Sequence, residues 1–141
     1  MTVDQPAIDT RAPFLFRLAG IAVDWAMCLI VSGWLFPAPD YAESTGLQRV
    51  FLAGQPLATL AIWAAQHWLL VALLGMTYGH RLLGLRVVRD DGARYPGFAK
   101  AGIRTVLLAL VIPAVVWDSE GRGLHDRAAG TRVVKLSAPA K

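Results

Sequence analysis

Residues 13–36 read PFLFRLAGIAVDWAMCLIVSGWLF, and this stretch decides the fold. As an α-helix it would extend about 36 Å, enough to cross a hydrocarbon core of about 30 Å with some tilt. Pro13 suits a first helical turn, where its missing N–H is no loss. Pro37 and Pro39 forbid continuation. Phe14, Phe16, Trp34 and Phe36 stand near the two ends, where interfacial aromatics are expected. Arg17 and Asp24 lie inside the stretch and no clean small-residue cleavage site closes it, so it reads as a span rather than a cleaved leader.

A second block of the same kind follows at residues 57–76, LATLAIWAAQHWLLVALLGM, again one bilayer thickness. Gln66 and His67 are its only strongly polar members. The connection at residues 37–56 is polar, with Asp40, Glu43 and Arg49. The whole chain of 141 residues is 55% hydrophobic and 17% charged, with net charge +4, against about 25% charged in soluble domains. The charge is concentrated between apolar blocks, which is the segregation a lipid bilayer selects. The expected organisation is a flexible segment at residues 1–12, one membrane domain at 13–136 and a flexible tail at 137–141. The single cysteine, Cys28, excludes an intrachain disulfide and reads as a small apolar filler.

Residues 77–100, TYGHRLLGLRVVRDDGARYPGFAK, hold Arg81, Arg86, Arg89, Arg94 and Lys100 against Asp90 and Asp91. Basic residues crowded beside two spans mark this loop as cytoplasmic, facing anionic lipid headgroups, and place the N-terminus on the same side. No recognition motif accompanies the positive charge, so nucleic acid is not an expected partner.

The third block, residues 101–117, reads AGIRTVLLALVIPAVVW. Its uncharged run covers about 20 Å as helix, short for a span, although Arg104 could snorkel and lengthen it. A full third span would put the basic tail outside, against the positive-inside tendency. A short tilted or re-entrant helix would keep it inside, and that reading is preferred. An internal echo supports it. Residues 84–89, GLRVVR, resemble 130–135, GTRVVK. Two such β-branched segments could pair as a small β-hairpin-like element on one membrane face. The fold class is therefore an all-α membrane protein: a hairpin of two transmembrane helices, a third short apolar helix, and that small β element.

A charge inside a span costs about 2.5–3.5 kcal/mol on insertion scales. Arg17 and Asp24 project from nearly one face, with Gly20 between them to admit another helix closely. Arg17 can snorkel. Asp24 needs a basic partner, a hydrogen-bond network, a proton or a polar cavity. Arg17 and Arg104 are its candidate partners, and the pair reads either as an ion site or as a register-fixing ion pair. His67 reads as a hydrogen-bonded interhelical histidine, His80 and His125 as surface residues, Trp63 and Trp68 as packing. No pair of histidines has metal-ligand spacing, and there is no phosphate loop or nucleophile elbow, so no metal, no cofactor and no enzyme activity is expected. The densest polar string is residues 121–131, GRGLHDRAAGT, where Asp126 could cap the following segment or bind a loop arginine such as Arg81.

Taken together, these residues resemble the RDD family of bacterial membrane proteins, named for one arginine and two aspartates. Arg17 and Asp24 in RLAGIAVD resemble the first two, and Asp126 in LHDRAAGT the third. Residues 77–88, TYGHRLLGLRVV, with Arg81 and Gly84, fit the stretch after the family's second helix, and Arg104 an arginine before its next apolar segment. His125, Arg127 and Gly130 belong to the last motif. The resemblance runs from residue 11 to 135. One departure is visible: many relatives carry more apolar sequence between the third block and the His-Asp motif.

The resemblance implies a multi-pass protein of the bacterial inner membrane without a settled activity, small-ion transport such as sodium–proton exchange having been proposed for some members. Two roles are therefore expected. One is an accessory or scaffolding component of a larger membrane assembly or homo-oligomer. The other is an oligomeric ion transporter using Asp24, because so few spans cannot enclose a path alone.

Overall fold

The computed structural model describes residues 8–41, 43–110 and 122–136. Helix α1 (Phe14–Leu35) begins directly after Pro13 and ends just short of Pro37, where the prolines require. Its buried face is Arg17, Gly20, Asp24, Cys28, Ser32 and Gly33, while Leu15, Leu18, Ile30, Trp34 and Leu35 are exposed. A helix of a soluble protein does the reverse, hiding its leucines and showing its charges.

The chain then turns through Pro39–Tyr41 and a short helix α2 (Gly46–Phe51). The turn is tightly tied: Ala38 N–H donates to Ala53 O at 2.7 Å and Gln55 N–H to Phe36 O at 3.0 Å. Thr59 Oγ1 donates to Ser32 Oγ at 2.8 Å, fixing the start of α3 (Pro56–Leu74) against the end of α1. Helix α3 has Pro56 in its first turn and is closed by Gly75 in the left-handed conformation, φ +69°. It repeats the inverted pattern, burying Thr59, Trp63 and His67 while exposing Leu57, Leu69, Leu73 and Leu74.

Both helices are long and apolar enough to cross a membrane, and only 22% and 28% of their most apolar windows is buried. A core helix of a soluble protein would be mostly covered. Apolar side chains facing outward, around a polar buried stripe, is the arrangement lipid favours.

After Gly75 come a one-turn helix α4 (Tyr78–Leu82) and strand β2 (Leu85–Arg89), then α5 (Gly97–Ala109), α6 (Leu124–Ala129) and β3 (Thr131–Leu136). The two echoing segments do pair: β2 and β3 are antiparallel, with Val87 opposite Val133 and Arg86 opposite Val134. The element is larger than the sequence suggested. Residues Ile8–Arg11, expected within a flexible N-terminal segment, form strand β1 on the other edge of β3, giving the order β1-β3-β2. The protein is thus mostly helical with a three-stranded sheet, not all-α. The polar, charged sequence of residues 8–11 hid the strand, because its partner, residues 134–136 of β3, lies more than 120 residues away along the chain.

The sheet lies where α1 begins and α3 ends. Val71 and Ala72 of α3, Leu85 and Val87 of β2, Ala101 of α5 and Val133 of β3 form one buried cluster there, with Ala12 and Phe16. Cys28, Trp63 and Leu108 form a second, deeper one, with Cys28 as the small filler expected. Helix α5 packs along α3, and Trp68 Nε1 donates to Phe98 O at 2.8 Å. The second half of the third apolar block, with Pro113 and Trp117, and the tail at 137–141 lie outside the described residues.

Candidate functional site

Ser32 and Thr59 pair at the far end of the bundle, while Arg17 and Asp24 of α1, His67 of α3 and Arg104 of α5 form a second buried polar group nearer the sheet. Asp24 is 1% exposed. Its Oδ2 accepts from Thr77 Oγ1 at 2.5 Å and its Oδ1 from Gly79 N–H at 2.9 Å. These donors belong to the start of α4. Thr77 is the N-cap, accepting from His80 N–H at 3.2 Å, while Thr77 N–H donates to His80 Nδ1 at 3.3 Å. Asp24 therefore supplies the carboxylate that a helix N-terminus attracts, from a different helix.

Neither Arg17 nor Arg104, the partners expected for Asp24, makes its direct contacts; a hydroxyl and a peptide N–H do. Such donors satisfy a buried carboxylate without a second desolvated charge. The sequence carried the signal in Thr77-Tyr78-Gly79-His80, whose threonine three residues before a side-chain acceptor is a capping pattern.

The contact requires α1 and α4 to touch. A Cβ on Gly79 would overlap the backbone of Gly20, so the approach is between two glycines. Gly20 was expected to admit a neighbouring helix closely, and the neighbour is α4.

The second acid, Asp126, is 1% exposed in the first turn of α6 and forms a salt bridge with Arg104 of α5. Arg81, proposed above as its partner, is exposed, and Arg104 takes that place instead. Asp126 also accepts from Thr131 Oγ1 at 3.2 Å, which joins α6 to the first residue of β3, and His125 Nε2 lies 3.4 Å from its other oxygen. Lys100 Nζ donates to Ala129 O at 3.1 Å. Arg127 is exposed, and Gly130 closes α6. Gly84 takes no part in this cluster; its carbonyl accepts from Leu136 N–H at 2.7 Å at the sheet edge.

Arg17 is 7% exposed, and its charge is felt at both His80 and Arg104. All three histidines are buried, so His80 and His125 are not surface residues. Burial, then the charges of Arg104 and Arg17, push His80 down to about 3, leaving it a neutral acceptor for Thr77 N–H. His67 stacks on Trp63, ring centroids 5.2 Å apart, and stands edge-on to His80 at 6.2 Å. Its ring nitrogens have no hydrogen-bond partner among the described residues, unlike the bonded histidine expected. No group of His, Cys, Asp and Glu among the described residues could hold a metal ion.

Arg17 and Asp24 of α1 and Asp126 of α6 are thus gathered by the fold around Arg104 and His80. No curated protein and no solved structure matches the chain. A family model does, that of the RDD family, over residues 11–130, a range that contains Arg17, Asp24, Arg104 and Asp126. The chain belongs to the RDD family.

Proposed function

We propose that this protein is a non-enzymatic accessory or scaffolding component of a membrane assembly, whose signature residues hold its own elements together. The observation that carries this reading is how both signature acids are engaged. Asp24 is occupied by Thr77 and Gly79, and Asp126 by Arg104 and Thr131. Groups so engaged fix a shape more readily than they carry an ion.

The same reading places the sheet outside the hydrocarbon, since an open-edged sheet leaves peptide groups that lipid cannot satisfy. β1 precedes α1, β2 follows α3, and β3 follows the third apolar block. Strands of one sheet share one side of the membrane, so two crossings by α1 and α3 fit, while a single complete crossing between β2 and β3 does not. A tilted or re-entrant third segment is consistent with this parity. The basic residues of the loop make that side cytoplasmic.

Asp91 and Arg132 are exposed, and the lone native cysteine is buried, so single cysteines at these two positions report sidedness cleanly. Labelling of both by a membrane-impermeant thiol reagent from the same side is expected. Labelling from opposite sides would remove the parity argument.

A second reading, an oligomeric small-ion transporter, is favoured by one observation. His67 places both ring nitrogens inside the bundle without hydrogen-bond partners among the described residues, and its neighbour Gln66 reaches toward Asp24. Reconstitution in liposomes separates the two. The scaffold reading predicts no sodium or proton flux above empty vesicles, with Asp24→Asn disturbing assembly. Flux that Asp24→Asn abolishes in a still-folded protein would favour the transporter.

A further inference from the structure

A cavity of about 450 Å³ opens where α3 ends and the sheet begins. Its lining includes the apolar side chains of Leu74, Met76 and Leu136, and it also carries Arg81, Arg86 and Tyr95. Leu74 is the last residue of the membrane-crossing helix α3 and is 49% exposed, and Leu73 and Leu82 beside it are also exposed. The apolar wall is therefore continuous with the surface that faces lipid tails, and the arginines stand just beyond the end of that surface, at headgroup depth.

The Arg86 guanidinium lies over the Tyr95 ring, 5.5 Å from its centroid, and Arg94 stacks on the same ring at 5.3 Å. Arg86 Nε is buried without a hydrogen-bond partner among the described residues. Asp90 and Asp91, the acids nearest in the loop, are committed elsewhere, Asp90 to Arg122 and Asp91 to Arg89. Positive charge held rigidly by an aromatic ring, with no carboxylate among the cavity's lining residues, is complementary to an anion. An apolar wall leading into lipid is complementary to an acyl chain. One class of molecule has both features.

We infer that this cavity is a binding site for a single anionic phospholipid, its phosphate on Arg81 and Arg86 and the upper part of one acyl chain along Leu74, Met76 and Leu136. The site rests on the membrane reading of α1 and α3 and is independent of whether the protein scaffolds or transports.

The test uses the full chain, purified in mild detergent and returned to nanodiscs of phosphatidylcholine containing a minority of phosphatidylglycerol, with bound lipid counted by native mass spectrometry. Wild type is expected to retain one phosphatidylglycerol in preference to phosphatidylcholine. Arg81→Gln, at an exposed position where folding is not at stake, should weaken retention about fivefold, the effect of one cation at an anionic surface. Arg81→Gln with Arg86→Gln should weaken it about twenty-five-fold, whereas Arg127→Gln, exposed but outside the cavity, should leave it unchanged.

Equal losses in Arg81→Gln and Arg127→Gln would reduce the effect to general surface charge and overturn the site. So would retention that shows no preference for the anionic lipid. Displacement of the retained lipid by millimolar inorganic phosphate would identify a phosphate site rather than a lipid site, and would equally overturn it.

Discussion

Arg104 of α5 and Asp126 of α6 form a salt bridge whose side chains are 3% and 1% exposed. Two charges removed from water this completely stabilise the fold only as a pair, because the survivor of a broken pair stays buried and uncompensated. Asp126→Asn or Arg104→Gln should therefore each destabilise the protein by about 3–5 kcal/mol. The double variant should be less destabilised than the sum of the two, and unfolding in mixed micelles measures this. Additive losses would mean that the two residues act independently.

Gly20 and Gly79 face one another across the α1–α4 contact, yet they should respond unequally to a methyl group. A Cβ on Gly20 meets His80 Cδ2 at 3.5 Å, an ordinary contact, whereas one on Gly79 overlaps the Gly20 backbone. Gly20→Ala should be tolerated within about 1 kcal/mol, and Gly79→Ala should cost more than about 3 kcal/mol by forcing the helices apart and breaking the Asp24 bonds. Thermal melts of the two variants in one detergent decide the matter.

His80 gives the protein a pH dependence with a definite sign. Its folded-state value of about 3 lies below the ordinary 6.5, so an opened state takes up a proton that the folded state refuses. Stability is full above about pH 6.5 and falls as the pH drops toward 3, reaching a loss on the order of 3 kcal/mol near pH 4. Protonation at Nδ1 would also remove the acceptor for Thr77 N–H. Melting temperature measured from pH 8 to 4 should decline for wild type and more weakly for His80→Gln.

Much of this fold is legible in the sequence because lipid simplifies the code. The proline-bounded apolar blocks fix α1 and α3 almost to the residue, and the repeated Gly-x-Arg-Val-Val string finds its mate across β2 and β3. Arg17, Asp24 and Arg104 could be singled out because charge within an apolar segment demands explanation, and Asp126 because it stands in the densest polar string and in a motif that resembles the family's. Their pairing was not legible. Whether Asp24 meets a basic group or a helix end depends on the turn after Gly75, which carries α4 back across α1, and periodicity along one helix contains no record of it. Strand β1 stayed hidden for a related reason: its four residues become a strand through β3, not through any pattern of their own. The burial of His80 and His125 likewise follows from tertiary packing around Arg104, not from their places near the ends of apolar blocks.

Asp24 fastens α1 to the start of α4, and a double-mutant cycle on Asp24→Asn and Thr77→Val tests this most directly. Unfolding free energies of wild type, both single variants and the double variant in one bilayer mimic should give a coupling of about 1–3 kcal/mol. A coupling indistinguishable from zero, with both single variants as stable as wild type, would contradict it.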